Sequence, residues 1–190
     1  MDQKPPQDQT IRRVTVFGGS KPTEGSPAYQ EALELGALLG SSGYTVLTGG
    51  YIGTMEAVSR GASENGGHVI GVTCDEIESW RPVGPNPWVA EEIRFATLRE
   101  RLFALIDHCH AALALPGGIG TLAEIATMWA EIQVQGDPPK PLICLGEGWE
   151  QVFSVMTEHQ NAYLAEEDLA LIQFAENAPA AVELLNPSGS

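Results

Sequence analysis

Leu115-Pro116-Gly117-Gly118-Ile119-Gly120-Thr121 sits between an apolar run and an amphipathic one. Glycines in such a turn let backbone N–H groups approach an anion closely and take positive φ. A helix opening there adds unpaired N–H donors and the positive end of its dipole. Gly117, Gly118, Ile119, Gly120 and Thr121, the last with a hydroxyl to offer, are the expected phosphate cradle. No Gly-Lys-Ser/Thr follows and the spacing is not G-x-G-x-x-G, so this is neither a Walker loop nor a dinucleotide fingerprint. The plainer alternative is a tight turn before a well-capped helix, but a turn alone needs one glycine and this segment has three.

Glu124 has two readings. Thr121-Leu122-Ala123-Glu124 has capping-box spacing, which would tie the carboxylate to the start of the helix. The same carboxylate could instead face whatever the glycine turn holds. Arg94, Arg99 and Arg101 form the one basic concentration in the chain. Arg99 and Arg101 are two apart on a helix and cannot face the same way, so at most one enters a cleft beside the glycine turn. Spacing alone does not choose between that and a solvated helix face.

Other constellations carry less. His108-Cys109-His110 lacks a second ligand pair at metal spacing and reads as a helix-to-strand junction. Cys74, Cys109 and Cys144 are too few and too scattered for a disulfide framework, and buried thiols in a reducing cytoplasm are expected. Lys4, Lys21 and Lys140, the only lysines, occupy no setting suited to a cofactor Schiff base.

The elements that would position the glycine turn follow from periodicity. Arg13–Phe17, Tyr44–Leu47, His68–Val72, Ala111–Leu115, Pro141–Leu145 and Leu171–Phe174 read as strands. Helices are expected from Ser26-Pro27 to Gly43, over Gly53–Glu64, from the capping box Thr97–Glu100 to about Cys109, over Thr121–Gln133, near Trp149–His159 and over Ala178–Leu185. Met128 and Trp129 suit either the core or a dimer surface. Asp75–Val89, with three prolines and two tryptophans, reads as a functional or interface loop. Alternating strands and helices predict a single-domain Rossmann-like α/β fold over residues 11–185, a parallel β-sheet flanked by helices on both faces, with loose tails at 1–10 and 186–190. In such sheets ligands sit at the carboxyl ends of strands. Gly18-Gly19-Ser20, Gly49-Gly50 and Gly117-Gly118 each follow a strand, so all three should gather on one edge.

Ten basic residues against 25 acidic give a net charge of −15. That field repels nucleic acid and anionic membrane at long range. A phosphorylated ligand would need a local site built from backbone amides and an arginine or two. The first ten residues have no apolar core segment, and no apolar run is long enough to span a bilayer. A cytoplasmic protein is expected.

Gly18-Gly19-Ser20, Thr48-Gly49-Gly50-Tyr51-Ile52-Gly53-Thr54-Met55 and Pro116-Gly117-Gly118-Ile119-Gly120-Thr121-Leu122-Ala123-Glu124 resemble, in that order, the Lonely Guy (LOG) family, whose members were often labelled lysine decarboxylases. The likeness runs from about Arg13 to Gln151. It implies a phosphoribohydrolase that cleaves the N-glycosidic bond of a purine (cytokinin) nucleoside 5′-monophosphate without metal or cofactor, in a homodimer or higher oligomer with the site near the subunit interface. The family's essential arginine and glutamate fall on Arg101 and Glu124. Gly18, Gly19, Ser20, Gly49 and Gly50 would line the rest of the site, and Trp80 or Trp88 could stack on the base or simply pack. The chain departs from the family pattern at Leu102, where a lysine is usual, at Ala123, where a glutamate is usual, and around Tyr51, Thr54 and Glu56. Molybdenum-cofactor carrier proteins resemble the same superfamily and imply the competing reading, a non-catalytic carrier holding a phosphorylated ligand on the same turn.

Overall fold

The computed structural model describes residues 12–135 and 140–185. The tails expected at 1–10 and 186–190 lie outside the described residues. Among the described residues, seven strands form one sheet in the order β4-β3-β2-β1-β5-β6-β7, and every neighbouring pair is parallel. They are β1 Arg13–Phe17, β2 Thr45–Thr48, β3 Val69–Cys74, β4 Glu91–Phe95, β5 Ala111–Ala114, β6 Leu142–Leu145 and β7 Gln173–Ala175. The helices are α1 Pro27–Ser41, α2 Thr54–Glu64, α3 Asp75–Trp80, α4 Leu98–Asp107, α5 Ile119–Gln135, α6 Glu147–His159, α7 Glu166–Leu169 and α8 Ala178–Leu185.

Strands buried on both faces need apolar side chains throughout. On one face Val14, Val16, Val46 and Leu113 pack with Leu35 and Leu39 of α1, Val58 of α2 and Ala181 of α8. On the other, Phe17, Leu47, Val72 and Ala112 pack with Leu105 of α4, Ile125 and Met128 of α5 and Phe153 of α6. Met128 and Trp129 belong to this second core, and the Trp129 ring meets Phe153 edge to face at 5.4 Å. The chain works outward from β1 through β2 and β3 to β4, then returns to the other side of β1 as β5. The strand order therefore reverses between β1 and β5, which is where an open α/β sheet leaves a crevice at its carboxyl edge.

Local signals fixed several ends as expected. The Ser26 hydroxyl accepts from Tyr29 N, with Pro27 opening α1. Thr97 and Glu100 form a reciprocal capping box on α4. Gly43 and Gly66, past α1 and α2, take the left-handed φ that halts a helix. The segment 75–89 differs from its expectation, because it opens with the short helix α3. Sequence reading also passed over β4, a largely exposed edge strand of charged and apolar residues in alternation, and the single turn of α7.

Candidate functional site

The glycine turn after β5 faces the end of β1. Residues 116–120 are exposed. A Cβ built on Gly19 would lie 3.4 Å from the Gly117 Cα, and one on Gly53 2.6 Å from the Ser20 Cα. The Thr54 N–H and hydroxyl both donate to the Gly19 carbonyl, at 2.9 and 3.0 Å. The three glycine segments thus meet on one edge, as the strand pattern predicts. Trp149 pins the root of the third by donating Nε1–H to the Leu115 carbonyl at 3.0 Å.

The helix α5 starts at Ile119, two residues earlier than expected, and its first turn closes with Leu122 N–H on the Gly118 carbonyl at 3.0 Å. The N–H groups of Ile119, Gly120 and Thr121 precede that bond and have no acceptor within the helix. This start removes the capping-box reading of Thr121 and Glu124: Thr121 lies inside the first turn, and the Glu124 carboxylate turns to Arg101. The expected positive φ is also absent from Gly117, Gly118 and Gly120. Gly117 is instead needed for room, since a side chain would collide with Thr121. Gly118 and Gly120 have nothing within 4 Å of where a Cβ would stand. The fold's own packing therefore does not demand glycine at either position, and what their lack of a side chain provides is open approach to the backbone.

Beneath the turn, Arg101 and Glu124 are 6% and 8% exposed. Arg101 Nη1 donates to Glu124 Oε1 at 3.3 Å and its Nε donates to the Val72 carbonyl at 2.9 Å. Its guanidinium lies 5.9 Å from the centroid of the Tyr51 ring. Gly49 has no space for a side chain because Arg101 Nη2 and Met55 occupy it. Burial pushes the Glu124 carboxyl up to about 7, against the opposing pull of the Arg101 charge and hydrogen bond. Desolvation disfavours the ionised form more than one partly screened cation restores it. A carboxyl poised near neutrality can work as acid or base.

Of the three clustered arginines, only Arg101 turns inward. Arg94 is bound by Asp75 and Glu78, both at 2.7 Å, on the surface, and the exposed Arg99 lies over Phe103. Trp80 is 79% exposed and Trp88 is half-buried beside Arg60. His110 Nδ1 accepts the backbone N–H groups of Arg12 and Arg13, so this histidine anchors the start of β1. No group of His, Cys, Asp and Glu among the described residues could hold a metal ion. Lys140 donates to the Ile106 carbonyl at 2.9 Å, just before the amino end of β5 and away from the glycine turn.

Two neighbours of the site, Asn86 and Arg81, escaped sequence reading, and a third, Tyr51, stood out there only as a departure from the family pattern. Asn86, 7% exposed, donates its backbone N–H and Nδ2 to the Gly50 carbonyl and Nδ2 to that of Tyr51, so the 75–89 segment clamps the second glycine loop. Tyr51 exchanges hydrogen bonds with the Cys74 backbone through its hydroxyl, which fixes the ring under Arg101. Arg81 donates Nη1–H to the Ser20 hydroxyl at 3.0 Å. The Gly84-Pro85-Asn86-Pro87 run was a turn signal, but nothing local said where the turn docks.

An open parallel sheet with glycine loops converging at its switch point defines an α/β protein of the Rossmann-like class. Residues 55–185 match the family described as "Possible lysine decarboxylase", and the chain belongs to this family, the LOG family. The chain is 33% identical over 135 residues to a cytokinin riboside 5′-monophosphate phosphoribohydrolase of Arabidopsis thaliana, covering 70% of this chain and 62% of that one. It is 35% identical over 131 residues to the Oryza sativa subsp. japonica protein of the same name, covering 67% and 53%. The matched stretch thus spans roughly half to three-fifths of these relatives' length. Among solved structures, the molybdenum cofactor binding protein of Rippkaea orientalis superposes with a TM-score of 0.70 at 24% identity, covering 93% of this chain and 96% of that one. The molybdenum cofactor carrier protein of Chlamydomonas reinhardtii gives 0.68 at 24% identity, covering 94% and 99%. At that identity the likeness is one of fold. No helix among the described residues is long and apolar enough to cross a membrane.

Proposed function

We propose that the chain is a phosphoribohydrolase that hydrolyses the N-glycosidic bond of a purine nucleoside 5′-monophosphate to free base and ribose 5-phosphate. The observation that carries this reading is the buried Arg101–Glu124 pair directly beneath an open turn of unpaired amides. The phosphate rests on the N–H groups of the Gly117–Thr121 turn, with Gly18, Gly19, Ser20, Gly49 and Gly50 lining the approach. Holding the phosphate there fixes the sugar over Glu124 and contributes binding energy in the transition state.

Bond breaking leaves an oxocarbenium-like ribose. The Glu124 carboxylate stabilises that charge and orients water, whose oxygen bonds to C1′ as the C1′–N bond opens. The glycosidic electron pair leaves with the base, and the water's surplus proton passes by way of Glu124 to the departing nitrogen. Arg101 holds the carboxylate in place, and its remaining N–H donors face the ligand. A carrier protein would use the same amide turn but has no use for a buried carboxyl titrating near neutrality, so the pair favours the hydrolase.

Purified protein offered AMP and a cytokinin riboside 5′-monophosphate is expected to release free base and ribose 5-phosphate from at least one of them. Tight retention of a phosphorylated ligand with no base release would overturn the hydrolase and support the carrier.

A further inference from the structure

A nucleotide phosphate carries close to two negative charges at neutral pH, yet the proposed cradle is made of uncharged amides, and Arg101 already serves Glu124. Arg81 sits on the other side of the same edge, just past α3. Its Nη1 donates to the Ser20 hydroxyl at 3.0 Å, and Ser20 follows Gly19, which abuts Gly117. Arg81 Nε is enclosed and donates to no protein acceptor among the described residues. Nor does its guanidinium meet a carboxylate among them, whereas Arg60 pairs with Glu24 and Glu64, and Arg94 with Asp75, Glu78 and Glu92. Arg13 and Arg99 also meet no carboxylate among the described residues, but both are exposed to water. Arg81, whose guanidinium lies 5.6 Å from the centroid of the Trp80 ring, is the one whose Nε is enclosed beside neutral glycine loops without an acceptor. An enclosed N–H without an acceptor is costly unless something supplies one.

We infer that Arg81 is a substrate-binding residue, the cation that neutralises the phosphate held on the Gly117–Thr121 turn, steadied by Ser20. The inference rests on the hydrolase reading for its ligand but uses an arginine that reading left idle. It also gives the 75–89 segment a purpose: Asn86 clamps one end to the second glycine loop, and α3 delivers Arg81 to the first. A guanidinium suits this task because its planar fork matches phosphate oxygens two at a time.

Binding of ribose 5-phosphate separates the possibilities, measured by calorimetry for the wild type, Arg81→Gln and Arg81→Lys across a range of salt concentrations. Arg81→Gln is expected to weaken binding about tenfold or more and to flatten its dependence on salt, because a charge pair is lost. Arg81→Lys, which keeps the cation, should recover part of the affinity and most of the salt dependence. A purely structural bond to Ser20 would not be rescued in this charge-specific way. Melting temperatures without ligand check that the variants are folded. Wild-type binding that Arg81→Gln leaves unchanged in strength and salt dependence would overturn the role of Arg81 alone. A wild type that fails to bind ribose 5-phosphate would overturn the site reading, and this inference with it.

Discussion

Glu124→Gln is expected to lower base release by about 10³-fold or more while the protein stays folded. The amide keeps the size of the side chain and an oxygen for Arg101 Nη1, so packing beneath the glycine turn survives. What disappears is the negative charge that would face the developing oxocarbenium. In the proposed mechanism the acting form is the carboxylate, and burial pushes its titration up to about 7. The kcat/KM profile should therefore climb about tenfold per pH unit below 7 and level off above it. Residual activity of Glu124→Gln should lack that limb.

The same shift makes a statement about stability. The folded carboxyl titrates near 7 against an ordinary 4.5, so between those values the folded state binds more protons than the unfolded one. Stability owed to this group is full below about pH 4.5 and is lost as pH rises through 7. The glutamine variant cannot titrate, so its stability relative to wild type should improve from pH 5 to pH 8, by on the order of 2–3 kcal/mol. Urea denaturation at the two pH values checks the sign. An unchanged difference would mean that Glu124 is not buried as described.

The second large effect is expected at Arg101. Arg101 lowers the Glu124 pKa both through its charge and through its hydrogen bond, so its removal lets burial act unopposed. Arg101→Ala should move the acidic limb of the rate profile to higher pH as well as reduce kcat/KM by about 10²–10³-fold at its best pH. It also leaves a buried carboxyl without its partner, a loss of about 3–5 kcal/mol where such a group stays charged. Arg101→Lys keeps the charge but loses the guanidinium fork that reaches the Val72 carbonyl and Glu124 together. Its limb should stay near 7 while its rate remains well below wild type. Arg101→Ala with a wild-type pH profile would show that the two groups are not coupled.

How much of this was legible in the chain depends on how local the cause is. The glycine segments, the capping box at Thr97 and the Ser26-Pro27 helix start all act within a few residues, and they stand where the pattern puts them. The order of the glycine segments also carried the family resemblance, which the match over residues 55–185 bears out. Glu124 was ambiguous because a capping box and an inward-facing carboxylate share one spacing. The helix start at Ile119 decided between them, together with an arginine 23 residues away. Arg99 and Arg101 were indistinguishable by type, and only the fold of α4 over β3 turned one inward. The edge strand β4 was passed over because Glu91-Glu92-Ile93-Arg94-Phe95 is charged and solvated, unlike the apolar strands beside it. Asn86, Tyr51 and Arg81 reach the site through contacts that no periodicity records.

In the proposed hydrolase, main-chain amides of the Gly117–Thr121 turn hold the phosphate and set the sugar above Glu124. A crystal structure with ribose 5-phosphate tests it most directly. Phosphate oxygens are expected within hydrogen-bond distance of the N–H groups at the start of α5, with C1 of the sugar directed toward the Glu124 carboxyl. A phosphate bound elsewhere, or a turn left empty at saturating ligand, would contradict it.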